Sequence, residues 1–447
     1  MLLPEVRATV ALALPIVGTQ LAQMAIHTTD IMLLARYSES ALAAAAVGMS
    51  LFYILWVMGM GLGMATPAIA AQALGHDAAD REGVRHAVHD GLILVGIFCL
   101  FSMALLWFTE PLLLLTGQAP DLAAEAAPFV RALSLSFLPS LWFMVLRHFT
   151  AALERPRAAM LLTIAAVALN AAVNYALVFG RFGMPELGAV GAGLGSTLVN
   201  LATLVALGVI LARDPGFAAY GLSRGWWRSS WPRLRAYLRI GVPIALTLGA
   251  EVGLFSAAAM LMGRLGAAEV AAHQIALQWA AIAFMVPMGI SQAATVRVGL
   301  HVGAGDLLGA RRAGRVAFVL AIGFMACTGL SYWFAAPALI AVFLPDRAST
   351  VHLLAVVYLS WAALFSTMDG AQAVANGALR GLKDTAMPML LASIGYWLIG
   401  LPVAIAFGFF VEMRGSGIWL GLTASLISVA VMLSWRFEAR IARLLTR

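Results

Sequence analysis

Long apolar runs, separated by short polar breaks or by breaks that contain Gly or Pro, recur about twelve times along the chain. They centre near residues 22, 57, 97, 137, 168, 200, 248, 283, 322, 362, 396 and 425. Each run has the roughly 20 residues that a helix needs to cross a hydrocarbon core of about 30 Å. Short alternating strands are absent from the pattern, so we do not expect a closed barrel. The pattern predicts an all-α integral membrane protein with twelve transmembrane helices.

The composition strengthens this prediction. The 447 residues are 62% hydrophobic and 11% charged, with a mean hydropathy of +0.92, which excludes a soluble globular protein. The formal net charge of +7 could suggest a nucleic-acid partner, but the basic residues fall in loops rather than in one patch. We therefore expect no nucleic acid, and the charge is explained by membrane topology instead.

The distribution of basic residues predicts the orientation of the chain. Twenty-two of the 28 Lys and Arg fall on one side of the runs, and six fall on the other, namely Arg36, Arg131, Arg181, Arg264, Arg347 and Arg414. Loops rich in Lys and Arg stay in the cytoplasm. The first run is also too long for a cleaved signal peptide and has no small-residue cleavage site. We expect a multi-pass protein of the bacterial cytoplasmic (inner) membrane with both termini in the cytoplasm.

The chain contains an internal repeat at a shift of 228 residues. Several residue types that composition alone would not match fall in register, among them Pro15 with Pro243, Thr19 with Thr247, Arg36 with Arg264, Gly61 with Gly289 and Gly75 with Gly303. Such self-similarity indicates duplication. Six crossings per copy is an even number, so the two copies would be parallel repeats. The sequence thus predicts two pseudo-symmetric six-helix bundles.

The repeat gives the predicted division of the chain. Residues 1–212 would form the N-terminal lobe, and residues 234–447 the C-terminal lobe. The segment 213–233 between them is rich in Arg and carries Trp226, Trp227 and Trp231. Trp and Arg are common at the membrane interface, so this segment is predicted to be a cytoplasmic interlobe linker.

Three carboxylates lie well inside apolar runs: Asp30 in HTTDIMLLAR, Glu251 in LTLGAEVGLFS and Asp369 in FSTMDGAQ. A charge at the centre of a membrane helix costs at least about 2.5 kcal/mol and usually faces a cavity or a partner. Each carboxyl could simply hydrogen-bond a neighbouring helix. Otherwise it is neutralised by a proton or by a bound cation. Three such groups together favour the chemistry of ion coupling.

Other polar side chains in the runs are candidates to support these carboxylates. Gln23 aligns with Glu251 in the repeat and lies two helical turns before Asp30. Asn170 and Asn174 share one helix face, and we predict that they hydrogen-bond Asp30. His273, Gln274 and Gln278 start the eighth run and are candidates for substrate binding. Each of these could equally serve to join helices.

Several chemistries are not expected. The chain has no GxxxxGK[ST] motif, so it does not hydrolyse ATP by this route. His86, His89 and Asp90 lie at a cytoplasmic helix end without further ligands nearby, which argues against a metal site there. Cys99 and Cys327 lie inside apolar runs, where a disulfide is not expected.

The sequence resembles the multidrug and toxic compound extrusion (MATE) family, in its NorM-like bacterial branch, over essentially the whole chain. The stretches that carry the resemblance are LPIVGTQLAQMAIHTTDIMLLAR, LNAAVNYALVFGRFGMPELGAVGAGLGS, LRIGVPIALTLGAEVGLF, AAHQIALQ and MDGAQAVANGALRGLKDTAMP. The resemblance implies a secondary active antiporter that exports amphipathic, mostly cationic drugs and dyes by alternating access. The exchanged cation would be H+ or Na+, with no other cofactor.

The resemblance also implies residue roles. Asp30 would be the cation or proton site of the N-terminal lobe, and Glu251 with Asp369 that of the C-terminal lobe, where Na+ is the one metal we consider. Sodium-coupled members of this branch tend to have a Tyr one turn before the tenth-helix Asp, where this chain has Phe365. The loss of that oxygen favours H+ slightly.

Two other functions are weighed against efflux. A flippase for lipid-linked precursors has a related fold and would need a strongly basic central cavity, whereas the basic residues here lie near the ends of the runs. A membrane-embedded lipid-modifying enzyme would need a catalytic cluster at the interface, and the histidines are scattered. We therefore expect a transporter that is not an enzyme and that works as a monomer in the lipid bilayer.

Overall fold

The computed structural model describes residues 2–446, and every regular element in that range is a helix. Met1 and Arg447, the outermost residues of the two predicted lobes, lie outside the described residues. Eleven helices are long and apolar enough to cross a membrane, or twelve if one bent helix pair counts as one span. Each of the twelve predicted runs coincides with one of these spans, which confirms the predicted fold class.

The helices follow one another with short connections. The helices up to residue 218 are α1 (Leu2–Tyr37), α2 (Glu39–Gly63), α3 (Ala65–His76), α4 (Arg81–Leu106), α5 (Thr109–Leu115), α6 (Pro120–Ser134), α7 (Phe137–Ala152), α8 (Arg157–Phe179), α9 (Gly188–Arg213) and, inside the interlobe segment, α10 (Pro215–Ala218). After it come α11 (Trp231–Leu265), α12 (Ala267–Gly303), α13 (Leu307–Phe334), α14 (Ala336–Phe343), α15 (Thr350–Gly381), α16 (Ala386–Ser393), α17 (Leu401–Ile405) and α18 (Arg414–Leu445). Two π-helical segments, Ile394–Gly400 and Ala406–Phe410, flank α17 and complete the eleventh span.

The predicted run centred near residue 137 is the one that does not form a continuous helix. The helices α6 and α7 meet there at a bend of 41°. Pro139 occupies the first turn of α7, where the missing backbone N–H costs little. A sharp bend at such a position is expected near proline, so the centre of the apolar run marks the break in the span.

Residue contacts divide the chain into two compact units: residues 18–245, called the first unit here, and residues 2–17 with 246–446, called the second unit. The divisions fall inside α1 and α11, two residues after Pro15 and Pro243. These positions are equivalent under the shift of 228 residues. The predicted lobe boundaries at 212 and 234 come from the sequence repeat and remain a prediction. The units defined by residue contacts are divided at other positions, inside α1 and α11.

Each unit has its own apolar core and repeats one helix cap. The first core is built around Phe137, Phe149 and Leu141, and the second around Trp419 and Phe437. Asp80 accepts a hydrogen bond from the backbone N–H of Gly83 at 2.8 Å, and Asp306 accepts one from Gly309 at 2.7 Å. Each Asp caps the N-terminus of its helix, α4 or α13. The duplication thus extends to local structure.

The predicted linker, 213–233, packs on the first unit and belongs to it. The Ser229 hydroxyl donates to Asp90 at 2.8 Å, and the Arg233 guanidinium lies 3.5 Å from the same carboxylate. Nε2 of His89 bonds the backbone carbonyl of Leu222 at 2.7 Å. At the start of the segment, a hydrogen bond from Arg155 lowers the pKa of Asp214. His89 and Asp90 therefore hold the linker in place.

Candidate functional site

Asp30 lies in α1 within the first unit and accepts hydrogen bonds on both carboxylate oxygens. The side-chain amides of Asn170 and Asn174 donate to Oδ1 at 2.5 and 2.6 Å. The hydroxyl of Ser196, from α9, donates to Oδ2 at 3.3 Å. These contacts confirm the predicted partnership of Asp30 with the two asparagines. Three converging donors suit an ionised carboxylate, which only accepts hydrogen bonds.

The helices α8 and α9 pack closely where Asn174 meets Gly195. Asn170 and Asn174 are four residues apart and therefore face Asp30 from one side of α8. Gly195 precedes Ser196 on α9, and a Cβ atom at Gly195 would overlap Oδ1 of Asn174. The absence of a side chain at Gly195 thus allows Asn174 to reach Asp30.

Gln23 lies two helical turns before Asp30 and has a different partner. Its Oε1 accepts a hydrogen bond from Nη1 of Arg147 at 3.0 Å. Arg147 lies on α7 and is only 4% exposed. The buried guanidinium therefore faces the position that is equivalent to Glu251 in the repeat, and here that position holds a neutral amide.

A cavity of about 430 Å³ opens beside Asp30 within the first unit. This is the size of pockets that hold drug-sized molecules. Gln23, His27, Asp30, Asn170 and Ser196 supply much of its polar surface. The rest of the wall is mostly apolar and includes Met49, Phe52, Tyr53, Trp56, Phe129, Leu133 and Phe143. A single carboxylate on a largely apolar wall is suited to an amphipathic cation.

The second unit brings Glu251 and Asp369 together. Glu251 lies on α11, and its Oε1 accepts a hydrogen bond from Nε2 of Gln372 at 2.9 Å. Asp369 lies one turn before Gln372 on α15, is 6% exposed, and interacts electrostatically with Glu251. Arg380, three turns further along α15 than Asp369, adds a positive charge that acts on Glu251. Two acids and one guanidinium therefore share this site, in which Asp369 is buried and Glu251 and Arg380 are half-buried.

Three buried oxygen atoms at this site lack a hydrogen-bond partner in the described part of the chain. Within the described part of the chain, Oδ1 of Asp369, Oε1 of Gln372 and the hydroxyl of Tyr396 have no hydrogen-bond partner. Tyr396 comes from the π-helical segment after α16 and lies close enough to both acids to interact with them. Buried polar atoms are almost always satisfied. Oxygen ligands of this kind suit Na+, and a proton or a water would also satisfy them.

The remaining predicted site residues lie elsewhere in the second unit. Phe365 is 2% exposed and packs edge-on against Phe255 and Trp419, at ring-centroid distances of 6.0 and 5.4 Å. Gln274 and Gln278 are exposed side chains on one face of α12. His273 lies on the buried face, and in the region that the structure covers neither of its ring nitrogens has a partner. Among residues 2–446, no hydrogen bond joins Phe365, His273, Gln274 or Gln278 to Glu251 or Asp369.

Sequence reasoning missed several residues of the two sites. Signals existed for some: His27 and Gln372 each lie three positions from a predicted carboxylate on the same helix, and Ser196 belongs to the quoted GLGS stretch. Arg147, Arg380 and Tyr396 reach their sites only through helix packing. The sequence around each of them gave no indication of these contacts.

Comparison with known proteins finds one family model and a set of relatives that share a name. The MatE family model matches twice, at residues 15–176 and 243–406, and the two matches start 228 residues apart. This confirms the internal repeat. A probable multidrug resistance protein NorM of Mesorhizobium japonicum is 42% identical over 440 residues, covering 98% of this chain and 94% of the relative. The corresponding protein of Rhizobium meliloti is 40% identical over 437 residues, covering 96% and 92%.

Solved structures show the same fold. The eukaryotic MATE transporter AtDTX14 superposes with a TM-score of 0.88 at 20% sequence identity, covering 99% of this chain and 98% of that one. A MOP superfamily transporter from Pyrococcus furiosus gives a TM-score of 0.88 at 18% identity, covering 98% and 96%. At these identities the likeness concerns the fold alone.

Proposed function

Because the chain belongs to the MatE family, we propose that it is a secondary active multidrug exporter that expels amphipathic, mostly cationic drugs and dyes in exchange for a cation. Its relatives are named as probable multidrug resistance proteins. The observation that carries the proposal is the cavity of the first unit, in which one donor-held carboxylate faces a drug-sized, largely apolar space. A transporter of this kind is not an enzyme and needs no cofactor beyond the exchanged cation.

The Asp30 carboxylate supplies the attraction for a cationic substrate. Three hydrogen-bond donors hold it in one orientation, and the apolar wall lowers the local dielectric constant. Aromatic and Met side chains in that wall adapt to flat apolar bodies. Charge would therefore select cations, while the apolar surface would tolerate many shapes.

Glu251 and Asp369 supply the coupling site in this proposal, whereas Asp30, which the resemblance implies to be a further cation or proton site, is assigned to the drug. Two interacting carboxylates in one site cannot both stay ionised without a large free-energy cost. A proton or a metal cation must therefore balance the negative charge that remains after the charge of Arg380 is counted. Phe365 packs into the aromatic core and lacks the hydroxyl oxygen that a Tyr at this position would offer to Na+. The hydroxyl of Tyr396 is an oxygen that could replace it. We favour H+ over Na+, with Na+ at Glu251 and Asp369 as the alternative.

Exchange follows if drug and cation bind the inward-open and outward-open states differently. A ligand drives a conformational equilibrium only by its difference in affinity for the two states. Drug binding in the first unit would lower the affinity for the coupling cation, and the converse must hold by linkage. Alternating access of this kind would move drug out of the cytoplasm, with the protein working as a monomer in the bacterial inner membrane and both termini cytoplasmic.

A flippase for lipid-linked precursors is the alternative. Such a substrate carries phosphates and would need Arg or Lys on the cavity wall, and neither residue type is among the residues that line this cavity. The buried Arg147 contacts Gln23 behind the wall. The charge of the cavity therefore favours a cationic cargo.

Dye efflux from proteoliposomes tests the proposal. A sodium gradient and a pH gradient are imposed separately on the wild type, on Asp30→Asn and Asp369→Asn, and on Asp121→Asn, an exposed Asp of the first unit. We expect efflux driven by one gradient, preserved in Asp121→Asn and lost in the other two. Efflux that ignores both gradients would contradict antiport and would favour the flippase.

A further inference from the structure

His27 is the titratable side chain that lies beside Asp30 in the cavity of the first unit. It lies on α1 one helical turn before Asp30, and both side chains line the cavity. The imidazole meets the ring of Trp56 edge-on, with centroids 6.3 Å apart, and Trp56 stacks on Tyr53. The two aromatic rings of α2 thus hold the imidazole beside the carboxylate.

The charges around His27 are few. It interacts electrostatically with Asp30 on its own helix. On α2 the one titratable neighbour that lines the cavity is Tyr53, and the polar residues that α8 and α9 contribute to the lining are all neutral: Thr163, Asn170, Ser196, Asn200 and Thr203. On α7, Arg147 is engaged by Gln23 behind the wall. Asp30 is therefore the anion to which a charged His27 would respond.

We propose that His27 is an internal competitor for the cationic substrate, because its imidazolium neutralises Asp30 and so displaces a drug cation from the cavity. The proposal rests on the function proposed above and adds a second proton acceptor to it. With His27 neutral, Asp30 and one drug cation balance each other. With His27 charged, the same drug would leave one net positive charge in a cavity of low dielectric constant, which weakens its binding.

The hydrogen bonds of Asp30 favour the histidine as the place where the proton binds. Both carboxylate oxygens already accept bonds from Asn170, Asn174 and Ser196, and these donors suit the ionised form. His27 has no hydrogen bond within residues 2–446, so its nitrogens can take up a proton without breaking a contact. Histidine is also the side chain whose ordinary titration lies nearest to neutral pH.

Binding of ethidium, followed by fluorescence polarisation in detergent at about pH 8 and about pH 5.5, tests the role of His27. The wild type is compared with His27→Gln and with His76→Gln, which alters an exposed histidine at the end of α3. We expect the wild type and His76→Gln to lose about tenfold in affinity at the lower pH, and His27→Gln to lose less than about threefold. An equal loss in all three proteins would overturn the proposal.

Asp30→Asn separates this proposal from the function on which it rests. If the first unit binds cations through Asp30, this variant binds ethidium weakly at both pH values. Wild-type affinity in Asp30→Asn would contradict the proposed function itself, whatever His27 does. A wild-type pH profile in His27→Gln, with weak binding in Asp30→Asn, would contradict only the role of His27.

A spectroscopic measurement covers the case in which His27→Gln does not fold. The imidazole nitrogens of 15N-histidine-labelled wild-type protein are titrated by NMR with and without ethidium, and the His27 signal is assigned by elimination from Gln variants of the other histidines. Since drug and proton exclude each other in this scheme, bound ethidium should lower the titration midpoint of His27. An unchanged midpoint at saturating ethidium would contradict the competition.

Discussion

The two units arrange their buried acids in different ways. In the first unit, Asp30 receives three hydrogen bonds and faces a cavity, whereas in the second unit Glu251 receives one from Gln372 and Asp369 keeps an oxygen without a partner in the described part of the chain. The first arrangement stabilises a fixed negative charge, and the second is incomplete without a proton or a cation. A duplicated fold has thus acquired two sites of different chemistry.

The different positions of the acids in the two units can be compared at equivalent residues of the repeat. Gln23 corresponds to Glu251, and each has an arginine nearby: the buried Arg147 in the first unit and the half-buried Arg380 in the second. Asp30 corresponds to Ala258, which is 2% exposed and belongs to the core of the second unit. The acid therefore stands two helical turns further along the helix in the first unit, where the cavity lies.

Apart from changes to the carboxylates themselves, the largest effect on the first site is expected from Gly195→Ala. The added Cβ would overlap Oδ1 of Asn174 and push the amide away from Asp30, so we expect about a tenfold loss of dye affinity, or roughly 1.4 kcal/mol. Gly208→Ala on the same helix is the matched control, since a Cβ there meets no atom within 4 Å. A similar loss in both variants would mean that α9 itself, and not the Asn174 contact, is responsible.

A smaller effect is expected from Tyr396→Phe, which removes an oxygen from the second site only. We expect the concentration of coupling cation needed for half-maximal efflux to rise about threefold, with dye affinity unchanged. Tyr332→Phe is the control because its hydroxyl donates a satisfied bond to the backbone of Trp279. That control should cost about 1 kcal/mol of stability and leave cation dependence alone; a shift in dye affinity with Tyr396→Phe would contradict the division of roles.

The smallest effect is expected from Gln23→Glu, which makes the first unit resemble the second at this position. The new carboxylate would lie against Arg147, and the pair would largely neutralise itself. Dye affinity should rise by no more than about twofold in fluorescence titrations. Gln118→Glu, in the loop before α6, is the control. A gain above tenfold would show that Arg147 does not screen the cavity.

Periodicity and composition were enough to predict the spans and one of the two sites. Asn170 and Asn174 could be paired with Asp30 because their spacing of four residues puts two amides on one face of a helix. The position of Tyr396 could not be predicted, because its hydroxyl reaches the acids from a π-helical segment in an apolar run. The unit boundaries inside α1 and α11 were equally hidden, since each helix continues unbroken through its proline.

The central claim is that the first unit binds the drug and the second unit couples it to the cation. The most direct test measures dye binding and gradient-driven efflux on the same preparations of Asp30→Asn and Asp369→Asn. We predict that Asp30→Asn loses at least about tenfold in dye affinity, whereas Asp369→Asn keeps its affinity within about threefold and loses gradient-driven efflux. Equal loss of dye binding in both variants, or efflux still driven by the gradient in Asp369→Asn, would contradict this division.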